Sequence, residues 1–204
     1  ASYRRQRQMC IRDRPMFMPI RQILQQKLSL NQLVQAGSIK TLIFDQDGSR
    51  YIQSLLTKTD SKQDILLLIQ HLVYLHKSKT FDLSILACHE YGNYALSLIF
   101  KLCQVSEIKL LFETFFNESM MVISESFYGS RVLMKILDIL LLKKKDLLFK
   151  LLKHFKKAII QTCPKHEFSH YLKNRMNEYS SLIIQKMLEL HLPYNAIKFI
   201  GDAL

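Results

Sequence analysis

A short motif recurs four times along the chain, and this repetition restricts the possible folds more than any other feature of the sequence. Each copy has a polar or aromatic run, then Gly or Ser, then a short polar residue, then apolar residues at helical spacing. The copies lie at residues 45–53, 89–97, 126–135 and 177–186. Their equivalent Gly or Ser positions are separated by 44, 37 and 51 residues. One unit per roughly 40 residues is typical of stacked helical repeats.

Further helical patterns lie between the motifs, at residues 64–73, 108–116 and 146–152. Their apolar residues recur at intervals of three and four, which indicates helices with one buried face. Each repeat is therefore predicted to contain a short helix, the motif helix and a further helix. Because one such repeat cannot bury its apolar face alone, we predict an all-α solenoid (a superhelix) with no domain boundary in residues 20–204. The motif helices are predicted near residues 48–58, 92–104, 129–142 and 180–191.

The composition agrees with a helical protein that has a basic surface. Among 204 residues only 5 are Gly and 4 are Pro, and 49% are hydrophobic. The formal net charge of +12 favours polyanions such as nucleic acid, although a solvated basic surface without a partner would carry the same charge. No apolar run reaches the ~20 residues of a membrane span, so we expect no membrane contact. The four cysteines are far apart, which indicates reduced thiols.

Residues 1–14 differ from the rest of the chain. They contain five Arg against one Asp and show no apolar period. We expect a non-native or disordered basic segment there, and the alternative is a basic arm that contacts phosphates.

One zinc-binding pattern occurs, because residues 166–170 read HEFSH and so fit H-E-x-x-H. Two His four residues apart on a helix can share a zinc ion, with the Glu as general base. The longer metzincin pattern fails, since Lys173 stands where that pattern has Gly. We therefore predict no metal site, no cofactor and no enzyme.

The four motifs resemble the repeats of the PUF (Pumilio) family. Residues 45–53 are similar to the family's first repeat, 92–94 to the second, 128–132 to the third and 177–204 to the fourth. The resemblance implies a right-handed α-solenoid of three-helix Pumilio-type repeats. Because family members usually have eight repeats, it also implies that residues 15–204 form a partial repeat domain.

The resemblance further implies RNA-binding residues at the first, second and fifth positions of each motif helix. These are Ser49, Arg50, Gln53, Asn93, Tyr94, Ser97, Ser130, Arg131, Met134, Ser181, Leu182 and Gln185. Ser49, Arg50 and Gln53 match the family's adenine-reading residues fully. The RNA tract that the resemblance implies is 5′-N-A-U-A-3′, with only its final A strongly specified. Ser97 and Met134 stand where the family has Gln, and Leu182 stands where an Arg or aromatic residue would stack. We expect Tyr91, Phe127, Tyr128 and Tyr179 to pack between repeats without touching RNA.

Elementary geometry supports the roles in the first repeat. Ser49 and Gln53 are four residues apart and share one helix face, so both can approach one base. Arg50 is rotated by about 100° from Ser49, so its flat guanidinium can stack between bases.

The resemblance implies sequence-specific binding of single-stranded RNA of the mRNA 3′-UTR type. With it come post-transcriptional regulation of mRNA translation or stability, a cytoplasmic location, a monomeric state and protein co-regulators. Two alternatives stay open. One is a divergent, nucleolar PUF-like protein of ribosome biogenesis that binds RNA with little sequence choice. The other is a protein-binding scaffold of the HEAT or armadillo type.

Overall fold

The computed structural model describes residues 20–115, 120–143, 146–148, 150–151 and 177–189, and the regular structure in those ranges is α-helical. The segment 1–14 and the zinc-binding pattern at 166–170 lie outside the described residues. The helices are α1 (Ile20–Gln25), α2 (Leu30–Gln35), α3 (Ile39–Leu42), α4 (Gln46–Lys58), α5 (Lys62–Lys77), α6 (Leu83–Cys88), α7 (Gly92–Leu102), α8 (Val105–Phe115), α9 (Met120–Ser124), α10 (Phe127–Lys143) and α11 (Glu178–Glu189).

The helices stack in three columns. The motif helices α4, α7, α10 and α11 pack side by side, each against the next. The short helices α3, α6 and α9 each pack against the motif helix that follows them. In the third column α2 packs on α5 and α5 packs on α8. The predicted all-α solenoid of three-helix repeats is therefore confirmed.

The motif helices begin and end close to the predicted positions. Three of them, α4, α10 and α11, begin two residues before the equivalent Gly or Ser. Helix α7 begins at Gly92 and ends two residues earlier than predicted, because Cys103 leaves the helical conformation with φ −55° and ψ 143°. For α11 the described residues end at Glu189, so the predicted end near residue 191 lies outside them.

Every motif helix is capped by the residue three positions before the equivalent Gly or Ser. Its side chain accepts a hydrogen bond from the backbone N–H of that Gly or Ser, at 2.8, 3.4, 3.3 and 2.9 Å along the chain. The capping residues are Asp45, His89, Ser126 and Asn177. Such a cap satisfies an N–H group that has no partner within its own helix. In α4, α10 and α11 this residue directly precedes the helix and marks where it starts, whereas α7 begins three residues after His89.

Stacked repeats bury one apolar core that runs the length of the described structure. The residue four positions after each Gly or Ser is buried in every repeat: Ile52, Leu96, Leu133 and Ile184. Because residues i and i+4 lie on one helix face, the Gly or Ser and the residue four positions after it place the same face of each motif helix against the core. Among the described residues, no helix is long and apolar enough to cross a membrane.

The glycines allow each motif helix to approach the short helix before it. A Cβ added at Gly48 would lie 2.8 Å from the Leu42 Cα, and one added at Gly129 would lie 3.0 Å from the Ile123 Cα. Both neighbours are backbone atoms, which cannot move aside without shifting a helix. The contact therefore restricts these two positions to Gly.

We expect Gly48→Ala to lower the free energy of unfolding by about 2 kcal/mol or more, because the clash with Leu42 outweighs the ~1 kcal/mol by which Ala favours a helix. Gly92→Ala is the matched control. The nearest atom to its added methyl group belongs to the Leu86 side chain, and the nearest backbone atom, the Leu86 carbonyl oxygen, lies at 3.0 Å, whereas at Gly48 the methyl group would overlap three backbone atoms of Leu42. A smaller loss is therefore expected for Gly92→Ala. Urea denaturation followed by circular dichroism measures both variants, and equal losses would contradict the backbone contact as the cause.

Candidate functional site

The residue two positions after the equivalent Gly or Ser is exposed in every repeat, and the four side chains lie along one face. Arg50 and Arg131 are exposed, Tyr94 is 47% exposed and Leu182 is 45% exposed. Because α4, α7, α10 and α11 pack side by side in one register, these side chains follow one another from repeat to repeat. We call them the exposed row. The structure thus brings together the four residues that the resemblance assigns to base stacking.

The residues directly after the equivalent Gly or Ser are different, because the protein itself uses their polar groups in internal hydrogen bonds. Ser49 is 1% exposed, and its Oγ donates to the carbonyl oxygen of Tyr91 at 2.9 Å. Asn93 is 3% exposed, and its Nδ2 donates to two backbone carbonyl oxygens of the preceding turn, at 2.7 and 2.9 Å. The buried Ser130 and the half-buried Ser181 each bond the carbonyl oxygen three residues earlier. Base contacts by these four residues stay a prediction, and Asn93 would have to exchange internal bonds to make one.

The residues five positions after the equivalent Gly or Ser differ from repeat to repeat. Gln53 is half-buried, and its Nε2 donates to the Ser49 Oγ at 3.2 Å. Since Ser49 in turn bonds Tyr91, two hydrogen bonds connect Gln53 to the second repeat. One of the two N–H groups of the Gln53 amide is thus used to orient it. Ser97 is buried, Met134 is half-buried against the core and Gln185 is exposed.

A cleft of about 450 Å³ is lined by residues of the first three repeats. These residues are Gln46, Arg50, Gln53, Glu90, Tyr91, Tyr94 and Tyr128. A hydrogen bond from the Tyr91 hydroxyl to the Glu90 carboxylate raises the pKa of Tyr91, and the nearby Arg50 acts in the opposite direction. The cleft therefore combines a cation, a carboxylate, two amides and three phenol rings.

An aromatic cluster joins the third and fourth repeats. The Phe127 ring is 41% exposed, and its centroid lies 4.9 Å from that of Tyr128 and 5.6 Å from that of Tyr179. The Arg131 Cζ lies 4.1 Å from the Phe127 centroid, within the range of a cation–π contact. Arg131, a member of the exposed row, thus lies over the face of an aromatic ring.

Three of the aromatic residues also lie at the surface near the exposed row, a position that sequence reasoning did not predict. Tyr91, Phe127 and Tyr128 were expected to pack between repeats, and Phe127 does contact Tyr179 of the next repeat. However, Phe127 is also exposed, and the two tyrosines line the cleft. The sequence feature that could have predicted this is their shared position, one or two residues before the equivalent Gly, close to the start of the motif helix.

Chemically, this face offers flat guanidinium and aromatic surfaces beside hydrogen-bonding amides. Such surfaces suit the stacking of planar, electron-rich rings such as nucleobases. In the ranges that the structure describes, no group of His, Cys, Asp or Glu residues could hold a metal ion.

Neither a protein-family model nor a curated protein matches the sequence. The fold does match solved structures. They include a Puf4 mutant bound to a Cox17 RNA 3′-UTR recognition sequence (TM-score 0.60, 14% identity) and PUF-8 in complex with PBE-RNA (0.58, 19%). The RNA-binding domain of yeast Puf5p bound to MFA2 RNA also matches (0.51, 19%). These matches cover 85%, 86% and 86% of this chain and 49%, 43% and 52% of the others, so the chain spans about half their length. The chain therefore shares the helical-repeat solenoid fold of these PUF structures.

Proposed function

We propose that the chain binds single-stranded RNA along its motif helices, with the exposed row stacking against successive bases. The observation that carries the proposal is the register of that row, one side chain from each of four neighbouring helices. A protein-binding scaffold would not need an exposed Arg50 and an exposed Tyr94 at equivalent positions. The fold similarity to RNA-bound PUF structures supports the same conclusion.

The binding energy would come from two sources. Stacking of a base on an aromatic side chain contributes ~1–3 kcal/mol. Neutralisation of phosphates by a chain of net charge +12 adds a term that weakens as salt rises. No covalent step is involved, so the proposed activity is binding alone.

Sequence choice would be unequal along the site. Gln53 is held by Ser49 beside the cleft, and a Gln side chain offers both a donor and an acceptor. Ser97 is buried, and Met134 has no group that bonds a base edge well. The final A of the implied tract should therefore be the base that the protein selects most strongly.

The finer proposal is binding to mRNA 3′-UTR sites in the cytoplasm, by a monomer that acts with protein co-regulators on translation or stability. Two similar structures of Puf4, each bound to an RNA 3′-UTR recognition sequence, support the 3′-UTR part of this proposal. The second candidate is nucleolar RNA binding with little sequence choice. The buried Ser97 and the packed Met134 favour that candidate, since neither offers a hydrogen-bonding group to a base.

Fluorescence anisotropy with the full chain distinguishes these candidates. One short RNA ends in AUA, the other is its scrambled version, and both are titrated at two salt concentrations. A preference for the AUA RNA that survives the higher salt supports base selection. Equal and steeply salt-dependent binding favours the nucleolar candidate. Absence of binding to both RNAs would contradict the proposed function.

Arg50→Ala should weaken RNA binding by roughly 5- to 100-fold, because it removes a stacking surface worth ~1–3 kcal/mol. Lys62→Ala is the control for charge, since Lys62 is exposed on α5 in the third column. It should cost much less. Anisotropy titration at fixed salt measures both variants, and losses of the same size would show that Arg50 acts only through its charge.

Gln53→Glu should change the preferred base at the 3′ end of the tract, because the substitution replaces a donor with a second acceptor. The expected shift in relative affinity is about fivefold or more. Gln70→Glu introduces the same charge at an exposed position of α5 and should leave the preference unchanged. Competition between RNAs that differ only in the last base measures the shift. An unaltered order of the four bases in the Gln53 variant would exclude its role.

A further inference from the structure

Arg131 differs from the other members of the exposed row because an aromatic side chain lies beneath it. Its Cζ is 4.1 Å from the ring centroid of Phe127, which stands four residues earlier on the same face of α10. The other three repeats have Gln or Glu at the position of Phe127. An exposed Arg side chain normally samples many rotamers, and a contact with a ring restrains it. The third repeat therefore contains an arginine that is partly ordered before any ligand binds.

Two tyrosines hold the Phe127 ring in turn. The Tyr128 and Tyr179 rings have their centroids 4.9 and 5.6 Å from that of Phe127, and each is inclined to it by 70°. Edge-to-face contacts of this kind are a favoured arrangement of aromatic pairs. Tyr128 belongs to α10, whereas Tyr179 belongs to α11 of the next repeat. The ring beneath Arg131 is thus oriented by contacts from two repeats.

A hydrogen bond between the third and fourth repeats keeps Tyr179 at this place. The Asn177 Nδ2, directly before α11, donates to the carbonyl oxygen of Glu125 at 2.8 Å. Glu125 lies in the short connection between α9 and α10, close to the start of the helix that carries Phe127. The helices α10 and α11 also pack directly against each other. The start of the fourth motif helix is therefore fixed beside the aromatic ring on which Arg131 lies.

The third repeat depends on Arg131 more than the first repeat depends on Arg50. Ser130 is buried, and its Oγ donates to the carbonyl oxygen of Phe127 at 3.0 Å. Met134 has no group that bonds a base edge well. Stacking on Arg131 is therefore the main interaction that this repeat can offer to a base. A side chain already held near its bound orientation loses less rotamer freedom on binding, so affinity rises without a new contact to the ligand.

We infer that Phe127 is a positioning residue, which holds the Arg131 guanidinium in place for stacking against an RNA base. The inference rests on the proposed RNA binding. Phe127 occupies one side of the guanidinium, so the base approaches Arg131 from its exposed side and does not contact the ring. The effect is the same for every base, because every base has a π face. Through Tyr179, the fourth repeat then contributes to the RNA site of the third.

Anisotropy titration of the full chain tests the inference with four RNAs that differ only at the second base of the implied tract. Phe127→Leu should weaken binding to all four by about two- to fivefold, the size expected for an exposed cation–π contact. The double variant with Arg131→Ala should bind no more weakly than Arg131→Ala alone, because the ring acts through Arg131. Phe127→Tyr keeps a ring and should bind as the wild type does.

Tyr74→Leu is the matched control. It removes a ring that is 67% exposed on α5, in the third column, and should leave RNA affinity unchanged. A second measurement needs no RNA. The NMR order parameter of the Arg131 Nε–H group should fall in Phe127→Leu and should be retained in Phe127→Tyr.

Three results would overturn the inference, and they are distinguishable. If Phe127→Leu weakens binding further when Arg131 is already Ala, the ring contacts RNA directly. If the order parameter of Arg131 is unchanged in Phe127→Leu, the ring does not hold the guanidinium. In both cases the proposed RNA binding stands. If the wild type binds none of the four RNAs, the proposed function fails, and the inference fails with it. Circular dichroism of the variants checks that the fold is retained.

Discussion

In the first three repeats, the contact of the motif helix with the short helix before it, at Gly48, Gly92 and Gly129, determines the arrangement of the repeat. A side chain at Gly48 or Gly129 would overlap backbone atoms, so the two helices can approach closely only there. That approach fixes the depth and rotation of the motif helix within its repeat. Once the rotation of the helix is fixed, the residue four positions after the glycine is buried in the core and the residue two positions after it is exposed. One steric contact thus orders both the core and the exposed surface.

Repetition of this contact turns a local arrangement into an extended surface. The Gly or Ser of each motif helix donates an equivalent hydrogen bond and each helix buries the same face, so neighbouring helices present equivalent positions side by side. The side chains of the exposed row can then differ in chemistry without disturbing the packing beneath them. Equivalent positions are occupied by a basic, an aromatic and an aliphatic side chain, those of Arg50, Tyr94 and Leu182. The architecture separates what holds the solenoid together from what varies along its face.

Much of this could be predicted from the sequence, because the fold repeats and each repeat is local. Helix spacing, cap residues and the equivalent glycines are all read within ten consecutive positions, and they were sufficient to predict an all-α repeat solenoid. The partners of buried polar side chains were not predictable in this way. The bond from Ser49 to the carbonyl oxygen of Tyr91 joins residues 42 positions apart, and no local pattern encodes it. For the same reason the cleft, which is lined by residues of three repeats, could not be predicted from any one local pattern.

That bond between Ser49 and Tyr91 has a mechanical consequence. It crosses from one repeat to the next directly beneath Gln53, which it orients. If the solenoid bends or twists at this junction, the Tyr91 carbonyl oxygen moves relative to Ser49, and the Gln53 amide turns with it. The curvature of the solenoid and the hydrogen-bonding pattern offered at its surface are therefore coupled. A partner that straightens the solenoid would change the hydrogen-bonding groups presented in the cleft without contacting the cleft itself.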